Sequence, residues 1–236
     1  MSVVFITVTG TDGGKTIATA AIACRLEALG TQVHIVKPVQ TGVAGIAEGD
    51  LAAVARLSGL PTERFHGIYR YPEPMAPVAA ARRANLELPQ LDRVAECISN
   101  VDGPGRVVLV EGAGGLLVRL GHQWALPELA SEFPRHHMLL VTRLGLGSLN
   151  EAELTSEVAR ARGLNLTGLI GGAIAAHPDA IVADNLGELP QLTSLPLLGA
   201  VAAGAGNLGP EQFQNGSLQW LGPEFEQWAQ RLSHSG

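Results

Sequence analysis

A doubly wound, mostly parallel α/β sheet is the fold this sequence predicts, and three features predict it. Short apolar runs rich in Val, Ile and Leu alternate with helical patterns. Each run is too short for a helix and too continuous for a strand with one wet face. Glycine-rich turns follow several of them, as at residues 10–14 and 112–115. With 236 residues, 46% of them hydrophobic, the chain can bury one substantial core and is read as a single domain over residues 1–236.

The predicted strands are residues 3–9, 33–36, 107–110, 138–142, 166–170 and 197–201. The first helix runs from about residue 15 to 29 and stops at Gly30, a residue that adopts the left-handed conformation at helix ends. Further helices begin near Asp50, Pro89, Leu126, Leu149 and Asp179. Ser148-Leu-Asn-Glu151 matches a capping box, which predicts a helix start whose free amides form an anion site. Residues 202–222 are glycine-rich and weakly periodic, so a loop is expected there, followed by a short C-terminal helix carrying Trp228.

Charged residues make up only 16% of the chain, the formal net charge is -6, and no Lys or Arg run could neutralise a series of phosphates. Nucleic acid is therefore not an expected partner. No apolar stretch is long enough to span a bilayer, and the opening MSVVFITVTG lacks a basic leader region, so a cytoplasmic protein without a membrane role is expected. Cys24 and Cys97 sit in helical patterns and read as small core residues.

The chemistry concentrates at the ends of three predicted strands. After the first come Thr9-Gly10-Thr11-Asp12-Gly13-Gly14-Lys15-Thr16, in the strand, glycine turn, helix order of a phosphate-binding loop. Backbone amides there would close around phosphate oxygens, Lys15 would reach the transferred phosphate, and the Thr16 hydroxyl would ligate magnesium. The loop departs from G-x4-G-K-S/T, which requires glycine at position 9. Val8 is expected to be extended, with the turn beginning at Gly10 and with Gly13, Gly14 and the helix start supplying most amides. Lys37 lies beyond the second strand, where Pro38 keeps it extended, and is expected to face the same wet crevice as Lys15. Glu111 emerges from a buried strand, where a charge needs a cation to offset its desolvation, so a magnesium role follows. Asp50 opens a helix and reads either as a metal ligand or as a helix cap.

Taken together, these residues resemble the dethiobiotin synthetase family, within the P-loop proteins that include the cobyric acid and MinD/ParA groups. The resemblance extends from Phe5 to about Gly199. It is carried by the phosphate loop, Lys37-Pro-Val-Gln-Thr-Gly42, Gly49-Asp50-Leu51, Pro74-Met-Ala-Pro77, Val110-Glu-Gly-Ala-Gly-Gly115 and Gly145-Leu-Gly-Ser-Leu-Asn150. It implies a P-loop NTPase-like fold and a magnesium-dependent ligase. In that family 7,8-diaminononanoate is carboxylated by CO2, the carbamate is phosphorylated by ATP or another nucleoside triphosphate, and ring closure expels phosphate. On this resemblance Lys15 and Lys37 are catalytic; Thr11, Asp12, Gly13, Gly14, Lys15, Thr16, Glu111 and Gly172 bind nucleotide; and Thr16, Asp50 and Glu111 hold Mg2+. Lys37, Thr41, Gly147, Ser148 and Asn150 would bind substrate, the last three across a homodimer interface. The family loop Gly-Thr-x-Thr-x-x-Gly-Lys-Thr fits residues 8–16 except that Val8 replaces its first glycine. Residues 168–172 also lack the asparagine with which many members read adenine. Two other readings stay open: a MinD/ParA-type switch ATPase, and a catalytically impaired paralogue.

Overall fold

The computed structural model describes residues 2–11, 13–43 and 49–234. Its strands are β1 (Ser2–Val8), β2 (Gln32–Thr41), β3 (Phe65–Tyr71), β4 (Arg106–Glu111), β5 (His137–Thr142), β6 (Leu166–Ile174) and β7 (Leu197–Ala202). They form one sheet in the order β3-β2-β4-β1-β5-β6-β7, and all its pairings are parallel. β1 lies at the centre and is buried along its whole length, which explains why Val3 to Val8 read as a continuous apolar run.

The helices α1 (Lys15–Ala28), α2 (Asp50–Ser58), α8 (Pro210–Trp220) and α9 (Pro223–His234) share one hydrophobic core with one face of the sheet. The even residues Val4, Ile6 and Val8 of β1 point into this core with Ile22, Leu57, Phe213 and Trp228. On the other face, α3 (Pro77–Ala84), α4 (Leu91–Val101) and α5 (Leu126–Ser131) enclose Val3 and Phe5 with Val94, Ile98 and Leu129. A third cluster joins β5 and β6 to α6 (Ser148–Ala161) and α7 (Ala180–Thr193).

Several elements differ from the sequence expectation, among them helix α3, which the sequence had not marked. Strand β3 is an edge strand paired only with β2, and its sequence FHGIYRY mixes polar and apolar residues because it is only partly buried. Residues 210–220 are helical and not a loop. Pro210 begins α8 where a free backbone donor is not needed, and Gly216 leaves room for the Trp220 ring, which a Cβ there would approach to 2.4 Å. The expected capping box at Ser148 does not form, because Gly147 is the N-cap at φ 87° and Ser148 is already helical. Glu151 instead pairs with Arg143 and accepts a 3.4 Å hydrogen bond from the Thr9 hydroxyl.

Strand β2 runs on past Pro38 to Thr41. Its pairing with β4 ends at Val36, so the missing donor of Pro38 falls where β2 has only β3 beside it. That extension sets Lys37 just past the last pairing with β4 and carries Gln40 and Thr41 beyond the end of that strand.

Candidate active site

The carboxyl ends of β1, β2 and β4 lie side by side, and each delivers part of one charge cluster. After β1, Gly14 adopts the left-handed conformation at φ 83° and caps α1 without any side-chain hydrogen bond, leaving the helix's first amides to a ligand. Lys15 and Thr16 are the first helical residues. Glu111 is the last residue of β4 and is 1% exposed; Lys37, in β2, is 2% exposed. The Lys37 ammonium donates to Glu111 Oε1 at 2.8 Å and to the Gly112 carbonyl at 3.0 Å, and it also pairs with Asp50. The same Glu111 oxygen accepts from the Thr16 hydroxyl at 3.1 Å and from Lys15 at 3.4 Å. Glu111 Oε2 is buried and has no hydrogen-bond partner among the described residues.

The electrostatics follow from this packing. Burial alone would push the Glu111 carboxyl up, but Lys37 and Lys15 outweigh it and hold the group well below the usual carboxylate range. Burial likewise acts to lower Lys37, and the charges of Glu111 and Asp50 overcome it, so its ammonium is held above its ordinary value. For Lys15 burial wins over Glu111, and its pKa is lowered. Lys37 therefore borders the same cavity as Lys15, as the sequence suggested, but is buried where a wet lysine was expected, and its charge is fixed by two carboxylates.

Asp50 does not cap its helix. Gly49 occupies the cap at φ 99°, and the Asp50 amide donates to Gln40 Oε1 at 2.9 Å. Gln40 also donates to the Thr41 carbonyl at 3.1 Å, which ties β2 to the start of α2. The sequence offered no signal for Gln40, a neutral amide inside a strand; only the fold sets it against α2.

Above the cluster is a cavity of about 810 Å³ lined by Thr11, Gly13, Gly14, Lys15, Thr16, Lys37, Thr41 and Asp50, with Pro74 to Pro77 along one wall. Asp12, expected to bind nucleotide, lies outside the described residues. Gly172 abuts the phosphate loop, since a Cβ on it would lie 2.6 Å from the Gly13 carbonyl oxygen. Gly147, Ser148 and Asn150 do not line this cavity. Ser148 is fully buried and accepts the Asn185 amide at 3.2 Å, so its hydroxyl packs the turn before α6 and is not turned to solvent; Gly147 and Asn150 are exposed.

A parallel sheet whose central strand leads through a Gly-Lys-Thr turn into a helix, beside a carboxylate at the end of the neighbouring strand, defines a P-loop nucleotide-binding protein. Solved structures share the fold. The septum site-determining protein MinD of Pyrococcus horikoshii, solved with Mg-ADP, aligns at TM-score 0.58 over 99% of this chain and 95% of its own, with 16% identity. A Cyanothece McdA variant, solved as its ATP complex, aligns at TM-score 0.58 over 100% and 96%, with 11% identity. At those identities the likeness concerns the fold alone. A family model described as an AAA domain matches residues 2–204. The ATP-dependent dethiobiotin synthetase BioD of Corynebacterium kroppenstedtii is 50% identical over 213 residues, covering 90% of this chain and 91% of the relative. The enzyme of the same name from Streptomyces coelicolor is 43% identical over 226 residues, covering 96% and 94%. The chain belongs to the ATP-dependent dethiobiotin synthetase family.

Proposed function

We propose that this protein is a magnesium-dependent ligase that closes the ureido ring of dethiobiotin from 7,8-diaminononanoate, CO2 and a nucleoside triphosphate, with ATP the first choice. One observation carries the site assignment: Lys15, Thr16 and Lys37 converge on one oxygen of Glu111, and Asp50 pairs with Lys37, directly below the phosphate-binding turn.

The side chains present fit a magnesium ion. Glu111 Oε2 is a buried carboxylate oxygen without a partner among the described residues, and Asp50 and the Thr16 hydroxyl stand on the same cluster. These are hard oxygen donors. Their small number suits an ion that keeps waters and phosphate oxygens in its shell. Magnesium bound there supplies positive charge to the phosphates and to their leaving oxygen.

The remaining work falls to the protein. The Gly13 and Gly14 amides and the N-terminus of α1 hold the triphosphate, and Lys15 follows the phosphate being transferred. Lys37, kept cationic by Glu111 and Asp50, offers a preorganised charge to the substrate carbamate and then to its mixed anhydride with phosphate. Thr41 at the end of β2 faces the substrate amines, and the Pro74 to Pro77 wall covers the aliphatic chain. Attack of the second amine on the anhydride carbonyl forms the ring C–N bond and breaks the C–O bond to phosphate. The amine's proton leaves with the departing phosphate.

The substrate carboxylate is assigned to the exposed start of α6, at Gly147 and Asn150, on a neighbouring copy of the chain. Neither residue lines the cavity of its own chain, which is why the role is given to a neighbouring copy in a homodimer. We also read the chain as one cytoplasmic domain: one continuous sheet runs through it, and no helix among the described residues is long and apolar enough to cross a membrane. Incubation with diaminononanoate, bicarbonate, magnesium and each nucleoside triphosphate in turn should yield dethiobiotin by mass spectrometry. Nucleotide hydrolysis without that product would overturn the ligase reading.

A further inference from the structure

The side chain of Val8, the last residue of β1, has a defined seat. Val8 is 2% exposed and pairs in register with Val141 of β5, so the strand keeps its form up to the edge of the turn. A Cβ placed on Gly13 would lie only 2.3 Å from Val8 Cγ2, far inside van der Waals contact. Its next neighbour, the Gly10 carbonyl oxygen, would be 3.3 Å away. Gly13 does not have the positive φ that favours glycine, in contrast to Gly14 at 83°. The backbone therefore does not require glycine at position 13; the Val8 methyl does.

The other side of the turn is equally close. Gly172, two residues before the end of β6, lies against the Gly13 carbonyl, where a Cβ would come within 2.6 Å, and a Cβ on Gly14 would lie 3.6 Å from the Gly172 Cα. The Gly13-Gly14 peptide is thus held between a valine methyl from β1 and bare backbone from β6.

We propose that Val8 is a positioning residue of the phosphate loop: its methyl occupies the space that a side chain at residue 13 would fill, and the Val8 and Gly13 pair sets the position of the turn under the triphosphate. The proposal rests on the nucleotide-binding reading above. With the methyl gone, Gly13 loses the side chain packed against it and keeps none of its own to restrain it. With a side chain added at 13 and Val8 kept, the turn is pushed toward Gly172. Exchanging the two residues should restore the packing.

The test is a double-mutant cycle on the whole chain, with Val8→Gly, Gly13→Val and the exchanged pair. Melting is measured first, then calorimetric titration with ATP and magnesium. Each single change should weaken nucleotide binding by at least about tenfold, and the exchanged pair should return to within about threefold of the parent. Should Gly13→Val not fold, Gly13→Ala replaces it, because its Cβ already meets Val8. Two outcomes overturn the proposal: Val8→Gly binding at least as tightly as the parent, or an exchanged pair binding no better than its weaker single variant. A parent that binds no nucleotide overturns the ligase reading instead. In that case the melting temperatures decide: non-additive shifts in the cycle support the Val8 and Gly13 contact, and additive shifts sink it.

Discussion

Lys37→Met separates the structural account of this site from the sequence-based one. Methionine keeps most of the side chain's volume and removes one charge from a group that is 2% exposed. Glu111, 1% exposed, then loses its 2.8 Å partner. Breaking a buried ion pair by removing one member costs about 3–5 kcal/mol. Lys15 remains 3.4 Å from the same carboxylate oxygen and the Thr16 hydroxyl 3.1 Å from it, so the lower end, about 3 kcal/mol, applies. For a chain of this size each kcal/mol lowers the melting temperature by about 2–4 °C, which gives a drop of ~6–12 °C. Scanning calorimetry at neutral pH without nucleotide or magnesium measures it free of any catalytic effect. Turnover should fall by at least about a hundredfold in parallel, since a fixed charge is lost where anionic intermediates form. A variant that melts within about 2 °C of the parent would refute the buried triad, and Lys37 would then be the solvated lysine that the sequence alone suggested.

Glu111→Gln should impair magnesium-dependent turnover more than Asp50→Asn, because the Asp50 side chain is 32% exposed against 1% for Glu111; a magnesium titration with the opposite order would make Asp50 the principal ligand. Gln40→Leu removes the acceptor for the Asp50 amide, together with the donor to the Thr41 carbonyl, and should raise the magnesium concentration needed for half-maximal rate by about three- to tenfold, a charge-free loss of hydrogen bonding. Gln40→Glu, which keeps the acceptor, should recover most of it, and equal behaviour of the two variants would remove Gln40 from the site. Lys15→Ala should lower turnover by at least about a hundredfold, and a near-parental rate would exclude Lys15 from phosphate transfer. At the opposite end of the sheet, the His34 and His66 rings stack with centroids 5.4 Å apart, and Nδ1 of His34 lies 3.1 Å from Nε2 of His66. Burial, with His66, Arg64 and Arg106 adding to it, lowers His34 to about 4 from 6.5. Because the unfolded chain takes up that proton first, this stabilisation is complete above pH 6.5 and is lost as pH falls toward about 4. His34→Phe should therefore lose less melting temperature than the parent between pH 7 and 4.5, and an equal or larger loss would show that His34 does not titrate in this way.

Much of the fold was legible because buried parallel strands leave continuous apolar runs. Six of the strands that make up the seven-stranded sheet were found from those runs alone. The seventh, β3, escaped because an edge strand wetted on part of its surface can carry His66, Gly67 and Arg70. Helix α8 escaped because its glycine is explained by a contact with Trp220 within the same helix, and no local propensity rule anticipates that.

For the site, the chain alone determined the chemical inventory: a Gly-Gly-Lys-Thr turn, two lysines and two carboxylates at strand ends and helix starts, in an order shared with one enzyme family. Composition and motif spacing carry such information because they are local properties of the chain. Which atom meets which was decided only by the sheet. Placing β4 between β2 and β1 brings Lys37 and Lys15, 22 residues apart in sequence, onto the same oxygen of Glu111, and it makes Lys37 a buried group. The fate of Val8 was settled the same way. Valine at that position reads as a defect in a linear pattern, yet Gly13, five residues on, is bare where the Val8 methyl sits, and the close packing of interiors makes the pair one fitted contact.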